Sequence, residues 1–390
     1  MHCNGNGACY NFDPDDAMCP SWKATRQRIH SPKGRASLIR EWLRLQQQAG
    51  VDVLAVARQK PLPLAGFIPR LFNSLGGRRA EADFSHEVYD AMAGCLACKS
   101  CAGQCPVKVN VPDFRSRFLD LYHRRYLRPL RDYMIGSLEF VLPATSRVAG
   151  FYNFMMRRKG IAWIIDRFFG IVDSPLFSRH DLGRTLQCCE VTAATPQALA
   201  ELSDSERSRS VIFVQDAFTR YFDTELLAAS IELAFRLGYR VWLAPVKPNG
   251  KPLHVQGFLH RFAKAAARNA GSLNAISDSG IPLVGLDPAM TLVYRQEYAH
   301  LPGVQAPPVL LMQEWLEQAL PQDAADNAPK AFRLFGHCTE KTNAPDSSRQ
   351  WERLFARRGL QLRTEATGCC GMSGTYGHEA RNVATSRVIF

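Results

Sequence analysis

No stretch of the 390-residue chain approaches the run of roughly 18 apolar residues that a membrane-spanning helix needs. The N-terminus, Met1-His2-Cys3-Asn4-Gly5, lacks the basic segment and apolar core of a secretory signal. No flavin or nicotinamide fingerprint lies between a strand and a helix. Gly5-Asn6-Gly7 sits among cysteines instead. Acidic residues are the scarcer charge, with 36 Asp and Glu against 48 Lys and Arg and a net charge of +12. Neither a recognition motif nor a basic–aromatic platform accompanies that excess, so no nucleic acid is expected as partner. A hydrophobic share of 46% argues against wholesale disorder. The expected location is cytoplasmic, with peripheral contact to the inner membrane left open. Twelve cysteines without a secretory signal point to metal or redox chemistry rather than to disulfides.

The expected class is α+β overall. Residues 1–130 hold seven of the cysteines among helical patterns and read as a helical two-cluster ferredoxin-like domain. Residues 131–205 read as a helical connecting segment. Residues 206–300 alternate apolar strands with amphipathic helices, residues 301–330 read as a Pro-rich linker, and residues 331–390 repeat the α/β plan. Ser37 to Gln48 predicts a helix with Leu38, Ile39, Trp42, Leu43 and Leu45 on one face. Strands are predicted at Ser210–Gln215, Arg240–Pro245, Ile281–Leu286, Ala331–Gly336 and Leu360–Ala366. Helices are predicted at Leu226–Leu237 and Asp346–Arg358, stopped by Gly238 and Gly359. Aligned by element order, Asp216 stands where the last segment has Cys338. Lys247-Pro248-Asn249-Gly250 stands where it has Gly368-Cys369-Cys370-Gly371. This reads as a duplicated Cys-Cys-Gly-type domain whose first copy lost its cysteines.

The strongest motif is Cys95-Leu-Ala-Cys98-Lys-Ser-Cys101-Ala-Gly-Gln-Cys105-Pro106, the run of two-cluster bacterial ferredoxins. In such a run three closely spaced thiolates hold one cluster and the fourth ligates the other. The partner motif is Cys3-Asn-Gly-Asn6-Gly-Ala-Cys9, followed by Cys19-Pro20. Crossed ligation gives Cys95, Cys98, Cys101 and Cys19 to a 4Fe–4S cluster. Cys3, Cys9 and Cys105 go to a second cluster, with Asn6 at the fourth position. That second cluster is either 3Fe–4S or a 4Fe–4S with a non-cysteine ligand from Asn6, water or His2. A structural zinc site with four cysteine ligands is the alternative, but it does not require three equally spaced cysteines and a Cys-Pro.

Cys338 ends a predicted strand, and Cys369-Cys370-Gly371 follows the next one. Parallel strands would bring the three thiols to one sheet edge, as a cluster, a thiol redox site or packed inert thiols. Cys188-Cys189 lacks the following glycine and reads as structural. The basic run from Lys23 to Arg40 reads either as a face toward an anionic cluster or as a solvated surface. The aromatic stretch 133–172 reads chiefly as helix core, with a partner or membrane face as the alternative. Gly371 to Glu379 offers a weak anion site at a helix N-terminus.

These motifs, with His30 to Arg35, Val214 to Tyr221 and Gly336 to Lys341, resemble the iron–sulfur half of bacterial FAD-linked D-2-hydroxyglutarate dehydrogenases. More widely the layout is similar to iron–sulfur subunits of glycolate oxidase and glycerol-3-phosphate dehydrogenase, and to Cys-Cys-Gly domains of heterodisulfide reductase. The resemblance implies electron transfer from a reduced FAD to a quinone or an electron carrier. FAD and its catalytic residues would belong to a domain or subunit outside this chain, so catalytic residues here are unassigned. It implies a portion of a longer protein, with a further cysteine of the last repeat expected beyond Phe390. Homo-oligomerisation is left open. A heterodisulfide-reductase-like enzyme and a zinc-stabilised binding protein are the competing readings.

Overall fold

The computed structural model describes residues 5–59, 66–76, 84–321 and 330–390. The architecture is helix-rich, with a small parallel sheet and a separate pair of strands. Among the described residues no helix is long and apolar enough to cross a membrane.

The N-terminal part packs the helices Pro20–Thr25, Pro32–Gln48, Ser85–Ala93 and Val111–Arg125 around one core. Ser31 caps the second of these by accepting from Gly34 N, and Pro32 occupies its first position, where no amide is needed. Its buried residues are Pro32, Arg35, Ala36, Ile39, Trp42 and Gln46. Leu43, expected inside, is exposed, and its place in the interface goes to the hydrogen-bonding side chains Arg35 and Gln46. Trp42 donates to Ser85 Oγ at 2.8 Å and meets Phe118 edge-on, which fixes the helix pair by both polar and ring contact.

Among the described residues seven strands follow: β1 (Thr192–Ala193), β2 (Ser210–Val214), β3 (Arg240–Leu243), β4 (Leu283–Gly285), β5 (Val309–Leu311), β6 (Ala331–Leu334) and β7 (Gln361–Thr364). The first five form one parallel sheet in the order β1-β3-β2-β4-β5. All five residues of β2 are buried, because the strand is central and both its faces are covered. Its alternating side chains serve two cores. Ile212 and Val214 face Leu259–Ser277, while Val211 and Phe213 face Thr224–Arg236. β6 and β7 pair in parallel around the helix Ser347–Ala356.

Two expectations are corrected. The linker 301–330 contains β5 and the helix Met312–Ala319, which bury Val309, Leu311, Trp315 and Leu316. Pro307 and Pro308 disguise a strand of only three residues. Residues 322–329 of that span lie outside the described residues. The stretch 133–172 is not chiefly core: Phe140, Phe151, Phe154, Trp163 and Phe168 are exposed.

Candidate metal centre

The run from Cys95 begins where the helix Ser85–Ala93 ends on Gly94. Ala97 (φ 56°) and Lys99 (φ 62°) both take the left-handed conformation. That costs each about 1 kcal/mol and wraps the backbone tightly between successive thiols. Lys99 then opens the short helix Ser100–Gln104, which carries Cys101. Cys19, also left-handed (φ 34°), opens the helix Pro20–Thr25 from the other side.

Cys19, Cys95 and Cys101 are buried in the N-terminal core, and Cys98 is half-buried beside them. The four are close enough to repel one another as thiolates. Burial is the main force raising Cys19, and Cys95 adds to it against the opposing Arg35. Burial likewise holds Cys101 well above the usual thiol range, reinforced by Cys19, Cys95 and Cys98. Cys98 is pushed up to about 12, by burial first and by Cys338 next. Four thiolates in so small an apolar volume are costly unless a cationic centre binds them. Iron supplies that charge, so the donor set fits an iron–sulfur cluster. Among the described residues no three His, Cys, Asp or Glu side chains gather as they would around a single metal ion.

Arg35 is the one buried cation of the basic run that reaches this group. Its Nε donates to Ala91 O and its Nη2 to Ser21 Oγ, both at 2.9 Å, and Nη1 stands 3.8 Å from Cys19 Sγ. Arg26 instead stacks over Phe12, and Arg40 is exposed. The run therefore divides between the two readings rather than following either.

For the second set, Cys3 and His2 lie outside the described residues. Cys9 sits half-buried in the turn Ala8–Tyr10 and Cys105 half-buried at the end of Ser100–Gln104. Asn6 Oδ1 accepts from Ala8 N at 3.2 Å. The two segments meet where Gln104 Nε2 donates to Asp16 at 3.2 Å.

The third set converges. Cys369 lies within hydrogen-bonding reach of Cys338 and Cys370, and this holds both of those below the usual thiol range while Cys369 keeps its proton. Cys338 opens the helix Cys338–Asn343, and Gly371 N donates to Cys369 Sγ at 3.4 Å. Spacing did not reveal that this trio abuts the first set. Thr339 donates to Cys98 O at 3.5 Å, Ser373 to Leu96 O at 2.9 Å and Tyr376 to Gly94 O at 3.5 Å. Cys98 feels the charge of Cys338. The expected Gly-rich anion site is corrected: Gly371 to Glu379 leads into the 3-10 turns Tyr376–His378 and Ala380–Asn382, and its hydroxyls hold the Cys95 loop.

A second feature escaped the sequence reading. Lys99, between Cys98 and Cys101, is buried and pairs with Glu297 at 2.7 Å and Gln296 at 2.8 Å. Burial alone would raise Glu297, but Lys99, Lys251 and His254 outweigh it and hold the carboxylate below its usual range. A lysine amid the ligand run was the available signal.

After β2 and β3 of the five-stranded sheet, two buried carboxylates cap backbone amides. Asp216 accepts from Phe218 N at 2.8 Å and Thr219 N at 3.0 Å. Glu139 accepts from Asn249 N at 3.0 Å and Gly250 N at 2.7 Å, and burial pushes it up to about 7. Cys188 is exposed and Cys189 is packed in the core.

Residues 1–109 match the 4Fe-4S dicluster domain. The chain is 66% identical over its whole length to a D-2-hydroxyglutarate dehydrogenase of Pseudomonas putida and 46% identical to one of Escherichia coli, covering 39% of each. It thus spans about two fifths of the length of these relatives. It is 24% identical, over 67% of its length, to one subunit of the anaerobic glycerol-3-phosphate dehydrogenase of Escherichia coli, covering 66% of that protein. No solved structure matches it significantly. The cysteine-bearing N-terminal part is an iron–sulfur region.

Proposed function

We propose that this chain, homologous along its whole length to part of the bacterial D-2-hydroxyglutarate dehydrogenases, is their iron–sulfur electron-transfer portion. D-2-hydroxyglutarate is the substrate class, oxidised at an FAD borne by a flavoprotein domain or subunit outside this chain. The relative that is a subunit of a glycerol-3-phosphate dehydrogenase supports such a division of labour. The final acceptor is a quinone or an electron carrier. The observation that carries the reading is the meeting of Cys19, Cys95, Cys98 and Cys101 in one buried volume within the matched dicluster region.

In this reading those four thiols hold a 4Fe–4S cluster, and Cys3, Cys9 and Cys105, with Asn6 at the fourth corner, hold the second, as 3Fe–4S or 4Fe–4S. The clusters supply one-electron steps between a two-electron flavin and the acceptor. The chain's own residues do the rest. Arg35 faces Cys19 with a fixed positive charge, which favours the reduced, more anionic state, while Lys99 pairs its charge with Glu297 and so anchors the loop between Cys98 and Cys101. The apolar core excludes water from the buried thiols. Cys338, Cys369 and Cys370 form a further redox site in series, reached through Cys98. The two α/β segments are read as a duplication, 206–300 and 331–390, whose first copy replaced thiols by Asp216 and the Glu139-held turn at Asn249-Gly250.

Anaerobic reconstitution with iron and sulfide tests the reading. Broad absorbance near 400 nm and reducible EPR signals from two clusters are the expected outcome, with Cys98→Ser losing one of them. A colourless protein holding stoichiometric zinc would sink it.

A further inference from the structure

The helices Ala149–Met156 and Lys159–Phe169 form a hairpin that turns at Arg157-Arg158. No residue of Lys159–Phe169 is buried, although Ile161, Trp163, Ile164, Ile165, Phe168 and Phe169 make it largely apolar. Trp163 is 63% and Phe168 66% exposed, and Phe151 and Phe154 face outward from the other helix. Exposed apolar side chains gathered on one hairpin mark an interaction surface.

Charge identifies what covers it. Arg147, Arg157, Arg158, Lys159 and Arg167 accompany the aromatics, against the single acidic residue Asp166. A cavity of about 580 Å³ opens beside the turn, lined by Gly150, Asn153, Arg157, Arg158, Ser178 and Arg179. Its wall is fixed. Asn153 is buried, donates to Phe177 O and accepts from Phe177 N, both at 2.9 Å, and so holds Ser178 and Arg179 at the rim. Arg158 lies over the Phe154 ring at 4.2 Å. Three arginines line one cavity and give it a positive potential that favours an anion. Guanidinium groups match phosphate oxygens in a planar fork. Tryptophan and phenylalanine on a short basic helix match the headgroup layer of a bilayer, where such a helix lies in the plane.

We infer that the hairpin 147–169 docks this protein onto an anionic phospholipid surface. Trp163 and Phe168 enter the headgroup layer, and the cavity at Arg157, Arg158 and Arg179 takes a lipid phosphate. This goes beyond the electron-transfer reading and does not depend on it, since the binding is read without any cluster signal.

Co-sedimentation of the full chain with vesicles tests it. Binding is expected to phosphatidylcholine vesicles containing phosphatidylglycerol, weakening as salt rises, and not to phosphatidylcholine alone. Arg157→Gln with Arg158→Gln should weaken binding roughly 30-fold, about fivefold for each charge. Trp163→Ser with Phe168→Ser should weaken it as well. All four side chains are exposed, and an unchanged circular dichroism spectrum would show that the variants fold. No binding to the anionic vesicles, or binding untouched by both double variants, overturns the inference. So does a dimer that Trp163→Ser dissociates in a protein that ignores vesicles. Thermal stabilisation by inorganic phosphate without vesicle binding would mark a free-anion site and overturn it too.

Discussion

Lys99 shows how a single side chain ties the cysteine loop to the sheet. Its neighbours in sequence are candidate ligands, yet its ammonium reaches across to Glu297, with side-chain exposures of 8% and 5% for the pair. Two buried charges gain little over an apolar pair of the same shape, but breaking the pair strands one charge in a low-dielectric site. Glu297→Gln keeps the volume and removes the charge, leaving Lys99 without its counter-ion. The expected cost is about 3–5 kcal/mol in urea unfolding. Lys99→Met with Glu297→Gln should recover part of that loss, because the Lys99 charge is then removed together with its counter-ion. Equal stability of the single and double variants would show that the pair carries no coupling. At this scale the gathering of Cys19, Cys95, Cys98 and Cys101 was legible in their spacing, since three of them lie along one short run. The contacts of Arg35 and Glu297 were not. Arg35 is held by Ala91, 56 positions away, and Glu297 reaches the cysteine loop through another element's packing.

Elements meet closely at the turn after the helix Lys251–Val255. Gly257 has φ +70°, and a Cβ there would lie 2.6 Å from Leu119 Cβ and 2.9 Å from both Asp120 N and Ser116 O. The helix Val111–Arg125 therefore passes directly over a glycine of the sheet-bearing part. Arg128 clamps the same turn, donating to Gly257 O at 3.3 Å and lying 3.9 Å over the Phe258 ring. Gly257→Ala combines backbone strain with a backbone clash and should cost about 2–4 kcal/mol. Gly280→Ala, at φ +76° with nothing within 4 Å, should cost only about 1 kcal/mol. Thermal or urea unfolding of the two variants checks the contrast. The elements themselves were uneven in legibility. β2, β3 and the helix Thr224–Arg236 announce themselves by a continuous apolar run, a short second run and the stop at Gly238. β5 does not, because three residues behind two prolines carry no periodicity. The hairpin at 147–169 misleads, because apolar content is the same whether a helix faces a core or an interface.

Across the whole molecule, cohesion is of two kinds. The sheet's cores are made of aliphatic and aromatic side chains, and of the described cysteines they include Cys189 alone. The N-terminal core counts Cys19, Cys95 and Cys101 among its buried residues. If those thiols hold a cluster, the cluster is part of that core, and its binding energy is folding energy for the helices around it. Removing iron leaves buried thiols at a gap in the packing and leaves Arg35 facing no anion. The sheet loses nothing of its own. Stability should therefore divide along this line, with the helical part opening locally while the sheet persists. In hydrogen exchange, chelation of the reconstituted protein is expected to lower protection in Ser85–Ala93 and Val111–Arg125 by roughly tenfold or more, while β2 and β3 keep theirs. Uniform loss across both parts would mean that the Lys99–Glu297 and Gly257 contacts bind them into one cooperative unit. No loss anywhere would mean that the cysteines pack without metal, against the iron–sulfur assignment of these ligands.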